Sequence, residues 1–564
     1  MLVGLISEMR LISRSLQTDT VSVRKARVWY MIEECMKSRA KFSNLLKFVL
    51  AVFFVFSVLL PLISMLVNMG QTDIMKILSG AKFQKACLNS LKVGIVTTLV
   101  STPLAYFLAW SVTRTELPFK GVFTVLFSLP MMIPSISQGT GLILLFGANG
   151  ILTRLFHLQG NIYGFHGIVI GETMYVTPVL FLMFSDVLTY EDYVPYEAAQ
   201  VLGIPRFRRF TAITLPFLMK PLLSAVFTAF SLTVTDYGVP LTIGGKLKTL
   251  PVLMYEDVIG LLDFGKGSVI GAVLLIPAVM AFAADLLTRE QSKSGFVSQS
   301  YVKRKDRNSV VIAAVGCIAF SLFVFLPIAM FCVLMAVKNY PIDLHLTTDN
   351  ITKTFTMGGA EYLRNSLVIA FGTGLLGAGG GFLTAYCSVR MKGLTSRLLH
   401  LLSITTMAIP GLVLGLSYVL FYKASFLYGT LAILILVNMM HFFASPYLMF
   451  YNVFGKLNEN LEAVGLTLGV SRTRVVRDVI FPQCSGTFLE AFAYFFVNSM
   501  ITISAVSFLA NSVTRPIALL IPQYEAQSFM ECSAFVSILI LFGNLLVKWA
   551  VYVLKNLLAN EKAG

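Results

Sequence analysis

Charge is what this sequence has least of. Only 13% of its 564 residues are Asp, Glu, Lys or Arg, about half the share of a soluble domain. Histidine (5), tryptophan (3) and cysteine (7) are sparse as well. The cysteines (Cys35, Cys87, Cys317, Cys332, Cys387, Cys484, Cys532) are scattered, with no CxxC and no Cys/His cluster. That excludes a disulfide framework and a zinc site, and leaves them as packing residues. Nucleotide-binding signatures are missing too. Gly244-Gly245-Lys246 lacks both the earlier glycine and the following Ser/Thr of a phosphate-binding loop. Gly372-Thr373-Gly374-Leu375-Leu376-Gly377 spells GxGxxG inside an apolar run, with no preceding strand and no acidic partner. Small residues that let helices approach closely explain it better. There is no HExxH or GxSxG, and the five histidines (His157, His166, His345, His400, His441) stand isolated. No covalent chemistry, bound cofactor or metal site is expected of this chain.

Apolar residues are abundant instead: 56% of the chain before its 41 glycines are counted, with a mean hydropathy of +0.79. No water-soluble fold hides that much apolar surface, so the sequence reads as an all-α polytopic membrane protein. Runs long enough for a bilayer core, about 20 residues each, fall at 44–68, 90–112, 121–146, 164–189, 219–240, 266–288, 309–337, 366–388, 395–421, 428–452, 484–509 and 532–554. About twelve spans put both termini on one side. With those termini inside, the inner segments hold nearly threefold more Lys and Arg than the outer ones, which places both termini in the cytoplasm of a plasma membrane. The net charge of +16 then belongs to inner loops, with no nucleic-acid partner implied. Residues 1–43 read as a basic cytoplasmic segment without the features of a cleavable signal.

The chain is internally duplicated. Asn89-Ser90-Leu91 recurs as Asn365-Ser366-Leu367, Arg114 as Arg390 and Ile133-Pro134 as Ile409-Pro410, each 276 residues on. Gly203 pairs with Gly469 and Pro216 with Pro482 at an offset of 266. The first half therefore carries ten extra residues, and the outer loop Gly147–Gly164 is the place for them. Two six-span repeats in the same orientation follow, 44–288 and 309–564, joined by a polar cytoplasmic linker at 289–308.

Each repeat has one long inner loop between its fourth and fifth spans. The first runs from Pro195 through Glu197-Ala198-Ala199, Gly203 and Pro205 to Leu215-Pro216. Pro195 opens a short helix, Glu197 suits its first turn and Gly203 is placed to cap it. A second short helix follows, with Phe207, Phe210 and Ile213 on one side and Arg206, Arg208 and Arg209 elsewhere, and Pro216 is expected to end it. The second loop holds Glu462-Ala463-Val464-Gly465, Gly469, Ser471 and Phe481-Pro482, with Ser471 a suitable N-cap. Taken alone, each loop is also compatible with ordinary amphipathic helices lying on the membrane.

The first loop resembles the EAA motif of membrane subunits of ATP-binding-cassette importers, in Glu197-Ala198-Ala199, Gly203 and Ile213-Thr214-Leu215-Pro216. The second keeps Gly469 and Pro482 but has Ala463, Val464 and Gly465 at the Glu-Ala-Ala positions, Glu462 one residue early and Phe481 in place of Leu. The resemblance covers nearly the whole chain and implies the type I importer permease fold. It also implies that Glu197, Ala198, Ala199, Gly203, Pro216, Glu462, Gly469 and Pro482 belong to coupling helices docked on two ATPase subunits. An extracytoplasmic binding protein would deliver the solute across a bacterial inner membrane. ATP and Mg would be used by the partner ATPase, not by this chain. Fused twelve-span permeases of this kind resemble ferric-iron, thiamine and 2-aminoethylphosphonate importers. Val112-Thr113-Arg114-Thr115, Leu145-Phe146-Gly147, Val234–Pro240 and Ile243-Gly244-Gly245 look most like the last. From another class, a twelve-span ion-coupled secondary transporter would share the two halves but not the paired loops.

Ionisable and polar groups inside spans are costly and invite a functional reading. Glu172 and Asp236 in the first half, and Asn438, His441 and Ser504 in the second, are the candidate pathway residues. In a pathway for a zwitterionic amine the two carboxylates could face its ammonium. The alternative is that they pair with neighbouring helices or border a wet vestibule.

Overall fold

The computed structural model describes residues 44–157, 161–288, 301, 306–391 and 393–563. The basic segment 1–43 and most of the linker 289–308 lie outside the described residues. Among those described, nine helices are long and apolar enough to cross a membrane. They are Asn44–Gly70, Ala81–Arg114, Ser135–Leu155, Phe165–Thr189, Phe207–Thr235, Phe264–Ala284, Arg307–Leu334, Asp349–Arg390 and Met530–Asn560. Two bent pairs bring the number to as many as eleven: Leu394–Ala408 with Gly411–Tyr422, bent by 112°, and Leu431–His441 with Ala444–Lys456, bent by 55°. The twelfth expected position is the helix Phe481–Ile501, which misses that standard because Gln483, Ser485, Glu490, Asn498 and Ser499 interrupt its apolar run. The small β-hairpin Val337–Asn339 with Asp343–Leu346 was not foreseen.

The duplication holds element by element. Ser135–Phe146 corresponds to Gly411–Tyr422 at an offset of 276. Phe165 begins its helix as Leu431 does, at 266, so the ten extra residues sit between Phe146 and Phe165 as expected. Arg206–Arg209, Phe210–Thr214 and Leu215–Thr235 match Arg472–Val475, Val476–Ile480 and Phe481–Ile501 without a residue's slip. Two span ends need correction. The apolar runs continue to 240 and 509, but the helices stop at Thr235 and Ile501. Asp236 accepts the Val239 N–H at 3.0 Å and opens a new short helix, Gly238–Ile243. Thr502 turns its hydroxyl back onto the Asn498 carbonyl at 2.6 Å, a bond that competes with helix continuation. Broken backbone at membrane depth is tolerated where protein surrounds it, and these two breaks face each other: the Tyr237 hydroxyl lies 3.0 Å from Ser507 Oγ.

The halves exchange their first helices. The helix ending at Gly70 packs on Gly411–Tyr422, and Arg307–Leu334 packs on Ser135–Phe146. Tyr418 donates to the Ser57 carbonyl at 2.7 Å and Tyr422 to that of Phe56 at 3.0 Å. Ser137 and Ser537 meet at 2.8 Å, and Asn544 donates to the Met132 carbonyl at 2.9 Å. Glycine permits these approaches. A Cβ on Gly141 would stand 2.6 Å from Pro327 Cβ, so Gly141→Val should lower the melting temperature of the purified chain through about 1–3 kcal/mol of overpacking. The GxGxxG run is a packing face as expected: a Cβ on Gly374 or Gly377 would meet Phe492 at 2.8 Å or Phe495 at 2.7 Å. The six described cysteines are free.

Candidate functional site

Two regions gather the polar and unpartnered residues: the loops after the fourth span of each half, and the facing helix breaks between the halves. In the first loop, Val194–Val201 is a helix with Pro195 in its first turn and Glu197 beside its N-terminus. Tyr196 and Ala199 face the body, whereas Glu197, Ala198, Gln200 and Val201 are exposed. Gly203 adopts φ +67°. Its N–H meets the Gln200 carbonyl, and the Ile204 N–H meets that of Ala199, which closes the helix in a Schellman motif. The second loop repeats this. Leu461–Thr467 ends at Gly469, φ +71°, with Gly469 N–H to Leu466 and Val470 N–H to Gly465. Ser471 caps the next helix by accepting from the Arg474 N–H.

The structure also explains where the second loop departs from Glu-Ala-Ala. Ala199 and Gly465 are the buried small residues of the two helices, and a Cβ on Gly465 would meet Val475 Cγ2 at 2.4 Å. The departing residue thus fills a tighter slot of the same design. Pro216 does not end its short helix, contrary to expectation, and Pro482 sits in the same way. Each lies just inside a helix that continues from Phe207 or Arg472 through a wide five-residue turn, Phe210–Thr214 or Val476–Ile480. Such a turn opens the hydrogen-bond ladder where a proline lacks its N–H.

Each loop is fastened from behind by an arginine whose anchoring role the sequence alone does not reveal. Arg114 pairs with Glu191, both side chains almost fully buried, and donates to the Leu188 carbonyl at 2.7 Å. Tyr196 donates to the same carboxylate, and the Arg114 guanidinium lies 3.6 Å from the centre of the Tyr301 ring, within cation–π range. In the second half Arg390 pairs with Glu462 and donates to the carbonyls of Leu457 and Asn458. Arg472 donates to Tyr386, whose hydroxyl reaches Glu462. Burial alone would raise the Glu462 carboxyl, but the hydrogen bonds from Arg390 hold it below the usual glutamate range. Burial dominates at Glu191 and pushes it up. Glu462 is therefore an inward anchor, while Glu197 is displayed.

The loops also expose large apolar side chains, Val201, Leu202 and Phe207 in the first and Val464, Leu466 and Leu468 in the second, beside the exposed Glu197, Gln200 and Arg208 and the exposed Arg474, Arg477 and Asp478. A groove of about 560 Å³ runs along the second, lined by Leu461, Val464, Leu468, Val475 and Val479.

The candidate pathway residues occupy repeat-equivalent positions. Glu172 corresponds to Asn438, Tyr175 to His441, Asp236 to Thr502, Ser135 to Gly411 and Gly238 to Ser504. In the first half Ser135 fills the space that a Gly238 side chain would need. In the second Ser504 fills that of Gly411, with His441 Nε2 also 3.1 Å from the Cβ position. Asp236 accepts from Ser135 Oγ at 2.8 Å. Glu172 and Asn438 are buried, and their side-chain oxygen and nitrogen atoms have no donor or acceptor partner of the ordinary kind among the described residues. No cluster of three or more His, Cys, Asp or Glu residues able to hold a metal occurs among the described residues.

Duplicated six-span halves, exchanged helices, facing breaks and one capped loop per half define the membrane subunit of a transporter. The family model for the inner membrane component of binding-protein-dependent transport systems matches twice, over residues 101–294 and 377–559, and the chain belongs to that family. It is thus the permease component of an ATP-binding-cassette importer. It is 26% identical to a ferric transport system permease protein, FbpB, of Actinobacillus pleuropneumoniae over 88% of this chain and 76% of the relative. It is 27% identical to a putative ferric transport system permease protein of Haemophilus influenzae over 84% and 78%. A molybdenum transport system permease protein, ModB, of the latter organism is 30% identical over 30% of this chain and 76% of its own length.

Proposed function

We propose that this chain supplies both membrane halves of an ATP-driven importer in a bacterial inner membrane, its loops at 194–216 and 460–482 docked on two ATPase subunits. The observation that carries this is the shared geometry of the two loops, each capped at an equivalent glycine, fastened by a buried arginine and exposing large apolar side chains. An exposed apolar patch of that kind marks a protein-binding surface. Both termini lie in the cytoplasm. An extracytoplasmic binding protein releases the solute between the halves, closure of the ATPases switches the access, and the chain itself binds neither ATP nor Mg.

For the cargo, ferric iron is favoured by the ferric permeases that align over most of the chain. The 2-aminoethylphosphonate reading, which rests on short segments, comes second. Uptake of the two labelled solutes, measured side by side in cells with and without the gene, separates them. Loss of iron uptake alone is the expected result, and loss of phosphonate uptake alone would reverse the order. A protonophore should leave uptake driven by ATP intact, whereas prompt collapse would favour an ion-coupled transporter.

A further inference from the structure

The two acids between the halves form an unusual pair. Glu172 is fully buried, neither carboxyl oxygen receives a donor from a neighbouring hydroxyl, amide or cation, and the adjoining Gly171 packs against Val239, whose N–H Asp236 accepts. Two carboxyl groups placed together with no cation beside them are stabilised by a proton or a cation between them. Among the described residues neither acid forms an ion pair with a lysine, arginine or histidine. The groups facing them are neutral: Ser135 and the Val239 N–H on Asp236, then Tyr175 on the Glu172 helix and Tyr494 from the second half, which donates to Ser445 at 3.2 Å.

The fold does not require these acids. The second half builds the same helix break with Thr502 and the same buried position with Asn438. At these two positions the acids are thus confined to the first half, beside its broken backbone.

We propose that Glu172 and Asp236 are a cation subsite of the translocation path, holding a shared proton when empty and releasing it to solvent as a cationic group of the cargo takes its place. A metal ion or an ammonium would satisfy the same pair. The subsite rests on the importer reading above, but its test has an independent arm. The purified full-length chain is titrated with terbium ion, whose emission is sensitised by nearby tyrosines, comparing wild type with Glu172→Gln, Asp236→Asn and the surface control Glu490→Gln, an acid paired with Lys555. Both subsite variants keep size and hydrogen-bonding capacity, and gel-filtration elution verifies their fold. Each should weaken the sensitised signal at least about tenfold, the scale of one lost charge-assisted contact, while Glu490→Gln keeps it. Titrations that superimpose on wild type would overturn the subsite whatever the cargo proves to be. In the assembled transporter the same variants should lose uptake of the cargo, iron uptake marking a metal ion and phosphonate uptake an ammonium. Wild-type uptake of both solutes in both variants would also overturn it.

Discussion

Replacing Gly203 and Gly469 together by valine should abolish uptake while leaving the chain inserted and monodisperse. Both glycines hold a left-handed backbone, φ +67° and +71°, and a Cβ at either meets no atom within 4 Å. The penalty is therefore conformational, not a clash: about 1–2 kcal/mol per site for an ordinary L-residue, more for a β-branched one. Each Schellman cap would open and the helix it closes would lose its fixed angle to the body. Asparagine, which tolerates this backbone region, should preserve most of the uptake at the same two sites. That contrast separates backbone geometry from side-chain contact. Uptake unchanged in the double valine variant would refute the coupling role of the loops.

Arg114→Ala should be the most destabilising single substitution near the loops. It strands Glu191 in a buried site, where breaking one member of an ion pair costs about 3–5 kcal/mol. Arg390→Ala should act in the same direction and more weakly, because Glu462 is more exposed than Glu191 and keeps its contact with Tyr386. Both variants should speed proteolysis within their own loop and lower the melting temperature. Asp478→Ala is the comparison: its partners Arg474 and Arg477 are largely exposed, and solvent screens such contacts, so neither reading should move. A change at Asp478 as large as that at Arg114 would show that burial does not set the strength of these anchors.

The repeats and the loops were legible in the sequence because their signals are local. Hydropathy over twenty residues marks a span, and a glycine flanked by proline marks a capped turn. The offsets of 276 and 266 located the inserted residues without any structure. The arginine anchors were not legible. Glu191 and Glu462 do not occupy equivalent repeat positions, yet each meets the equivalent arginine, so only the folded chain shows that they do one job. Pro216 is misleading as a helix end because the wide turn in front of it absorbs the missing hydrogen bond. The reading of 219–240 and 484–509 as continuous spans failed because hydropathy does not register a break made by one side chain bonding to backbone, as Asp236 and Thr502 do.

By itself the sequence determined the membrane class, the duplication and the geometry of each loop, since bilayer partitioning and glycine dihedrals depend on neighbours a few residues away. Only the tertiary structure decided which half wraps which, which carboxylate holds which arginine, and that the segment after Asp236 packs on the helix of Glu172, 64 positions earlier. Those contacts are set by helices meeting across the bundle, where a small residue such as Gly141 or Gly411 fixes how close two backbones come.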